Sequence, residues 1–231
     1  MLDNAFEALN KYDWGQDPKV LKPIADAVVA THGDDAQRAE LEGRLAAVLD
    51  TDATYDAKQF VCRKLVIVGT AASVPTVAKL LGDEKLSHMA RYALERYDAP
   101  EAGAALRDAL PKVDSPLKVG ILSSLGSRGE AESVAVAGKY LADEDAAVAT
   151  AAAKALGAIR TQAAADALGK AKPNDKARAA VTDASLACAE GVLAGGDKAA
   201  ALAIYKRSAG EDQPKHVRLA ATRGMLACAG S

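Results

Sequence analysis

The sequence predicts an all-α fold, specifically an α-solenoid in which about seven antiparallel helix pairs stack into a right-handed superhelix. Half of the 231 residues are apolar, but only 4% are aromatic. Much of the apolar content is therefore alanine, which favours helix and allows close helix packing. One stretch, residues 145–159, has the pattern of a complete amphipathic helix, and copies of that pattern recur along the chain. Since one such helix cannot bury its apolar stripe alone, neighbouring copies must cover it.

The stretch 145–159 sets the pattern for the other copies. Asp145 is placed to cap the first turn, and Val148 and Leu156 lie on one side of the predicted helix. Gly157 is expected to end the helix, because glycine is common where a helix turns into a loop.

An apolar column repeats about every 30 residues, near the short end of two-helix repeats. Its members are Phe60, Met89, Leu117, Val148, Val181 and Val217. A second type of helix lies between these copies, and Pro75 and Pro100 mark two of its starts. Proline is tolerated in a first helical turn because that amide has no helical partner. The sequence thus predicts about 14 helices.

The chain is predicted to be one solenoid over residues 1–231, with repeats from 35 to 231. Residues 1–34 are expected to form a divergent N-terminal capping pair, because one side of a terminal repeat faces water. Trp14 is expected to fold over the end of this pair. The alternative for the stretch Tyr12-Asp13-Trp14-Gly15 is that the indole of Trp14 stacks on a sugar.

Charge and hydropathy argue against two classes of partner. The formal net charge is -2, without a block of five like charges, whereas a nucleic-acid-binding protein usually carries a basic stripe. No apolar run is long enough to span a bilayer, and the amino terminus does not have the order of a signal peptide. We therefore expect no nucleic acid and no membrane insertion. The compartment stays open between an exported or periplasmic fragment that has lost its leader and a cytoplasmic protein.

No residue pattern predicts catalysis, a metal or a cofactor. The three histidines fall in copies far apart along the array, so they cannot converge on a metal. Cys62, Cys188 and Cys228 are expected to be small buried residues. Two alternatives remain: a Cys188–Cys228 pair, and a reactive Cys62 whose pKa is lowered by the neighbouring Arg63.

The segment DEDAAVATAAAKALGAIRTQAAADAL resembles the bacterial HEAT-repeat pattern, and the similarity extends over about residues 35–229. The segments VCRKLVIVGTAASVP and LSHMARYALERYDAPEAGAALRDALP are similar to HEAT-repeat segments of exported proteins in planctomycete-type bacteria, which often neighbour carbohydrate-related domains. The arginine that often follows the apolar column in such repeats is mostly absent here. The resemblance implies a curved scaffold for protein partners and no catalytic residues.

In such a scaffold the second helix of each pair usually lines the concave face. The copy around Met89 concentrates hydrogen-bonding and stacking groups on that helix, and Arg and Tyr are enriched at binding hot spots. The predicted partner-binding residues are Arg63, His88, Arg91, Tyr92 and Glu95. Outward positions of neighbouring copies would add Gln59, Cys62, Val66, Ser123, Thr150, Lys154, Asp183, His216 and Arg223. The alternative is that Arg91 and Glu95, four residues apart, form an ordinary surface ion pair.

The sequence therefore predicts a non-enzymatic protein–protein interaction scaffold whose partner is a protein or peptide. The alternative is an accessory domain of a larger exported, carbohydrate-related protein, which the full gene would reveal. An enzyme of a HEAT-like lyase type is a third class. Partner identity and oligomeric state stay open.

Overall fold

A computed structural model describes residues 1–230, and this part of the chain is all-helical, with fourteen α-helices and five short 3-10 turns. The chain divides into two compact units, Met1–Val113 (unit 1) and Asp114–Ser231 (unit 2). That the whole chain forms one continuous array stays a prediction.

Unit 1 contains seven α-helices in two layers. Their bounds are α1 Leu2–Asn10, α2 Lys22–Ala30, α3 Asp35–Leu49, α4 Tyr55–Val68, α5 Val74–Ala78, α6 Ser87–Leu94 and α7 Pro100–Ala109. Helices α2, α4 and α6 pack side by side in one layer, and α3, α5 and α7 form the other. We call the first layer B and the second layer A. Successive helices alternate between the layers, which is the arrangement expected for stacked helix pairs.

Unit 2 repeats this arrangement with seven more helices. Their bounds are α8 Ser115–Arg128, α9 Val134–Gly138, α10 Ala146–Ile159, α11 Gln162–Lys170, α12 Arg178–Ala194, α13 Lys198–Ser208 and α14 Lys215–Ala229. Helices α8, α10, α12 and α14 pack in sequence as layer B of this unit, while α9, α11 and α13 form layer A. The predicted all-α solenoid class is thus confirmed in the packing within each unit.

The core of each unit lies between its two layers. Leu65 and Leu94 are fully buried in unit 1, and Leu122 and Leu156 are fully buried in unit 2. Leu65, Leu94 and Leu122 lie five residues after the apolar column of their copies, and Leu156 lies eight residues after it. Because each helix buries one stripe and exposes the other, the fold follows from the 3.6-residue period of the apolar positions.

Helix starts agree with the capping residues. The carboxylate of Asp145 accepts a hydrogen bond from the backbone N–H of Ala147 at 2.8 Å. This bond to the backbone lowers the pKa of Asp145, and a hydrogen bond with the side chain of Ser115 contributes in the same direction. Thr54 and Asp197 cap α4 and α13 in the same way.

The role predicted for Gly157 is wrong. Helix α10 continues past it to Ile159 and ends at Arg160, which adopts the left-handed conformation with φ 59°. Gly157 instead lies where α10 meets α12, and a Cβ atom there would lie 2.9 Å from the Cα of Ala184. The glycine is therefore required by close helix packing rather than by the helix end.

The capping role predicted for Trp14 is also wrong. Its side chain is 88% exposed, in the turn between α1 and the segment that leads into α2. The buried aromatic of the first helix is Phe6. The guanidinium of Arg44 from α3 lies 4.2 Å from the centre of the Phe6 ring and also pairs with Asp3 at 2.7 Å. These contacts, rather than Trp14, hold α1 against its neighbours.

Candidate functional site

Helix α4 presents a connected polar stripe on its exposed side. The side chains of Tyr55, Gln59 and Arg63 are spaced four residues apart, so they lie on one face of the helix. Gln59 Nε2 donates to the Tyr55 hydroxyl at 3.1 Å, and Arg63 Nη2 donates to Gln59 Oε1 at 3.0 Å. Ile67, four residues further on, is 60% exposed. The stripe therefore combines one aromatic ring, one oriented guanidinium and one exposed aliphatic side chain.

Helix α6 packs beside α4 in layer B and carries two exposed side chains in matching register. Tyr92 occupies the position on α6 that Arg63 occupies on α4, three residues after the apolar column. His88 likewise matches Gln59, one residue before the column. Both are exposed, and Tyr92 is 45% accessible. We define the α4–α6 face as the half-buried Gln59 together with the exposed side chains of Tyr55, Arg63, Ile67, His88 and Tyr92.

The structure thus places three of the five predicted partner-binding residues, Arg63, His88 and Tyr92, on this exposed face. Arg91 and Glu95 are half-buried at its edge. Burial lowers the pKa of Arg91, and the negative charge of Glu95 opposes that effect. This electrostatic influence of Glu95 on Arg91 is what the ion-pair interpretation of the two residues expects.

Tyr55 and Ile67 belong to the face but are not among the residues that the sequence predicts. The signal was present, because both lie at multiples of four residues from Arg63 on the same predicted helix. Tyr55 is the first residue of α4, so the helical pattern does not clearly include it. Ile67 lies in an apolar run, which predicts a buried position.

The outward position expected for Cys62 is wrong. Cys62 is completely buried, on the side of α4 that faces the core. Burial raises the pKa of its thiol to about 12, so the thiol is protonated at neutral pH and is a poor nucleophile. The three cysteines are free and buried, which confirms their assignment as small buried residues, and no Cys188–Cys228 disulfide is formed.

A buried polar network lies behind the face. The carboxylate of Glu42, on α3, is 2% exposed. It accepts hydrogen bonds from the backbone N–H of Thr70 at 2.6 Å, from the Thr70 hydroxyl at 2.8 Å and from the backbone N–H of Ser73 at 3.1 Å. The Ser73 hydroxyl in turn lies 2.9 Å from the hydroxyl of Tyr97, just beyond α6.

This network joins three parts of unit 1: helix α3, the turn after α4 and the end of α6. Gly69 completes it, since a Cβ atom at this residue would lie 2.3 Å from the ring of Tyr97. Burial raises the pKa of the Tyr97 hydroxyl above its ordinary value. The bound carboxylate and the phenol thus tie the segments that follow α4 and α6 to α3.

The described residues offer no metal site and no membrane span. Within residues 1–230, no group of three or more His, Cys, Asp and Glu side chains is arranged to hold a metal ion. No helix in the same range is both long enough and apolar enough to cross a bilayer. The side chains of the α4–α6 face can donate hydrogen bonds to carboxylates, stack and cover apolar groups.

Comparison with solved structures gives low similarities over the whole chain. An engineered protein is 17% identical, with 100% of this chain and 68% of that chain covered at a TM-score of 0.46. Human deoxyhypusine hydroxylase in complex with glycerol is 16% identical. The alignment covers 99% of this chain and 96% of that chain, at a TM-score of 0.40. Computationally designed armadillo repeat proteins for modular peptide recognition are 16% identical. The alignment covers 98% of this chain and 99% of that chain, at a TM-score of 0.38. Similarities this low do not bear on function.

Comparison with curated protein sequences gives no match. A family model described as HEAT repeats matches residues 104–186, well under half of the chain. Over those residues, the chain is similar to HEAT repeats, in agreement with the resemblance seen in its sequence.

Proposed function

We propose that the chain is a non-enzymatic interaction scaffold that binds a protein or peptide partner on the α4–α6 face. The observation that carries this proposal is the composition of the face: one arginine, two tyrosines, one histidine and one isoleucine are exposed together on two neighbouring helices. Arg and Tyr are enriched at binding hot spots, and aromatic residues and Arg are enriched in protein interfaces relative to the rest of the surface.

The hydrogen bonds along α4 favour the same function. Arg63 is oriented by Gln59, which is oriented by Tyr55. An oriented guanidinium loses less conformational entropy on binding than a free one. It can also form two parallel hydrogen bonds to a carboxylate. The partner segment that fits this face therefore carries an acidic side chain next to apolar groups that cover Ile67 and Tyr92.

The test is affinity capture with the full chain, compared between Arg63→Glu and a matched control. Lys112→Glu makes the same change in charge at an exposed residue of unit 1 outside the face. We expect a stoichiometric partner whose capture falls at least about tenfold with Arg63→Glu, which corresponds to about 1.4 kcal/mol, and stays unchanged with Lys112→Glu. Equal capture by both variants would contradict the proposal.

A second candidate function is that of an accessory domain of a larger exported, carbohydrate-related protein, in line with the resemblance to planctomycete-type sequences. The 88% exposure of Trp14 favours it, because an exposed indole can stack on a sugar ring. Trp14 is the single tryptophan, so intrinsic fluorescence reports on it alone. Saturable quenching by cellotriose or chitotriose would support this candidate. A response no larger than that of free N-acetyltryptophanamide would exclude these two sugars as ligands.

A further inference from the structure

Unit 2 contains a groove between α8 and α10, on the exposed side of layer B. Its volume is about 550 Å³, which is within the range of small-ligand sites. We define the α8–α10 groove by the side chains that form its walls: Val119, Ser123 and Ser127 from α8, and Thr150, Lys154 and Ala158 from α10. These positions recur at four-residue intervals on both helices, so each wall is one continuous helical stripe.

The groove exists because the two helices meet through small residues. A Cβ atom at Gly126 would lie 2.8 Å from the Cα of Ala155, so the helix backbones are in direct contact there. Ala147, Ala151 and Ala155 form the rest of the α10 side of the groove. No large side chain from either helix fills the space above them.

The polar groups of the walls have no partners within residues 1–230. Helical Ser and Thr side chains commonly bond to the carbonyl four residues earlier. Ser185 and Thr222 do so elsewhere in unit 2, each at 2.8 Å. The hydroxyls of Ser123, Ser127 and Thr150 make no such bond in the described part of the chain, and Lys154 forms no ion pair there. Three hydroxyls and one ammonium group therefore border the same apolar groove without a protein partner in the described residues.

We propose that the α8–α10 groove binds an extended segment of a partner protein that carries one acidic side chain. Lys154 supplies the positive charge for the carboxylate, and the hydroxyls of Ser123 and Thr150 donate the hydrogen bonds that a carboxylate accepts. Val119 and the alanines contact the apolar part of the segment. The site lies in unit 2 and is separate from the α4–α6 face.

The length of the groove favours a peptide over a small carboxylate. From Val119 to Ser127 the wall extends eight residues along α8, or about 12 Å at 1.5 Å per residue. An extended chain advances about 3.3 Å per residue. Three or four residues of a peptide therefore match the wall, whereas a single carboxylate would leave most of the apolar surface uncovered.

The test uses the isotope-labelled full chain and NMR titration with the peptide acetyl-Ala-Val-Glu-Ala-amide. We expect saturable shifts of the amides of Ser123, Thr150 and Lys154. The same peptide with Gln in place of Glu should bind at least about fivefold more weakly, because it lacks the charge that Lys154 recognises. Lys154→Ala should have a similar effect, and Lys154→Arg should retain binding.

Two further variants serve as a test of the groove and as a control. Ala158→Phe places a ring on the exposed rim and should block the groove without changing the core, whereas Lys139→Ala, at an exposed lysine outside the groove, should have no effect. Arg63→Glu should also leave peptide binding unchanged, so this test can fail independently of the α4–α6 face. The proposal is wrong if the Gln peptide binds equally, if binding survives Ala158→Phe, or if sodium acetate alone reproduces the full pattern of shifts.

Discussion

Two glycines allow helices of unit 2 to approach to backbone contact. Gly126 lies against Ala155 and Gly157 lies against Ala184. Both glycines are inside α-helices, where glycine is normally unfavourable by about 1 kcal/mol relative to alanine. Their presence in helix interiors is therefore explained by the close approach of α8, α10 and α12.

We expect Gly126→Ala to destabilise the protein, although alanine is the better helix former. The added methyl group would sit 2.8 Å from the Cα of Ala155, and overpacking of this kind costs about 1–3 kcal/mol. Gly43→Ala is the matched control, because Gly43 lies inside α3 with nothing within 4 Å of an added Cβ. Gly43→Ala should raise the free energy of unfolding by up to about 1 kcal/mol. Urea unfolding measures both, and a gain in stability for Gly126→Ala would show that the helices can separate freely.

The buried thiol of Cys62 makes stability depend on pH at the alkaline end. Its pKa rises from the ordinary value of 9.0 to about 12 in the folded state. The unfolded chain therefore loses this proton first as the pH increases, and stability falls between about pH 9 and pH 12. From pH 8 to pH 10 we expect the wild type to lose about 1 kcal/mol more than Cys62→Ala. Identical losses in urea unfolding at the two pH values would mean that the thiol is not shielded from water.

At the scale of the helices, the carboxylate of Glu42 links α3 to the turn between α4 and α5. It is almost completely buried and is matched by donors from Thr70 and Ser73. A buried carboxylate is tolerated only when such donors surround it. The sequence alone did not reveal this link, because the donors are separated from Glu42 by about 30 residues and two of them are backbone amides.

We expect Glu42→Ala to lower the free energy of unfolding by about 2–4 kcal/mol, since it leaves the buried donors of Thr70 and Ser73 without their acceptor. Glu40→Ala, at an exposed position of the same helix, should change it by less than about 0.5 kcal/mol. Chemical denaturation of the two variants gives the comparison. Comparable losses of stability in the two variants would indicate that Glu42 acts through its charge on the helix rather than through buried hydrogen bonds.

The sequence predicted the helices better than it predicted their ends and contacts. Leu65 and Leu122 could be placed in the core because burial follows the helical period. Gly157 could not be assigned correctly, since a glycine at a helix end and a glycine at a helix crossing look alike in one sequence. Trp14 was misplaced because the size of an aromatic side chain favours burial, whereas its exposure depends on the path of the loop.

At the scale of the whole molecule, the protein offers exposed layer-B surfaces with different chemistry. The α4–α6 face of unit 1 is rich in large side chains, including Arg63 and Tyr92, whereas the α8–α10 groove of unit 2 is lined by small ones and by Lys154. In unit 2 the sequence predicted the outward positions of Ser123 and Lys154, whereas on α4 it predicted an outward position for the buried Cys62. It could not predict the groove itself, whose volume depends on the distance between two helices.

Site-specific photo-crosslinking in cells shows directly whether the α4–α6 face contacts a protein partner. A benzoylphenylalanine residue is placed either at Tyr92 on the face or at Glu101, an exposed position on α7 in layer A of the same unit. We expect a discrete crosslinked protein at the Tyr92 position, lost when Arg63→Glu is added, and none at the Glu101 position. Equal crosslinking at the two positions, or crosslinking at Tyr92 that is indifferent to Arg63→Glu, would contradict this expectation.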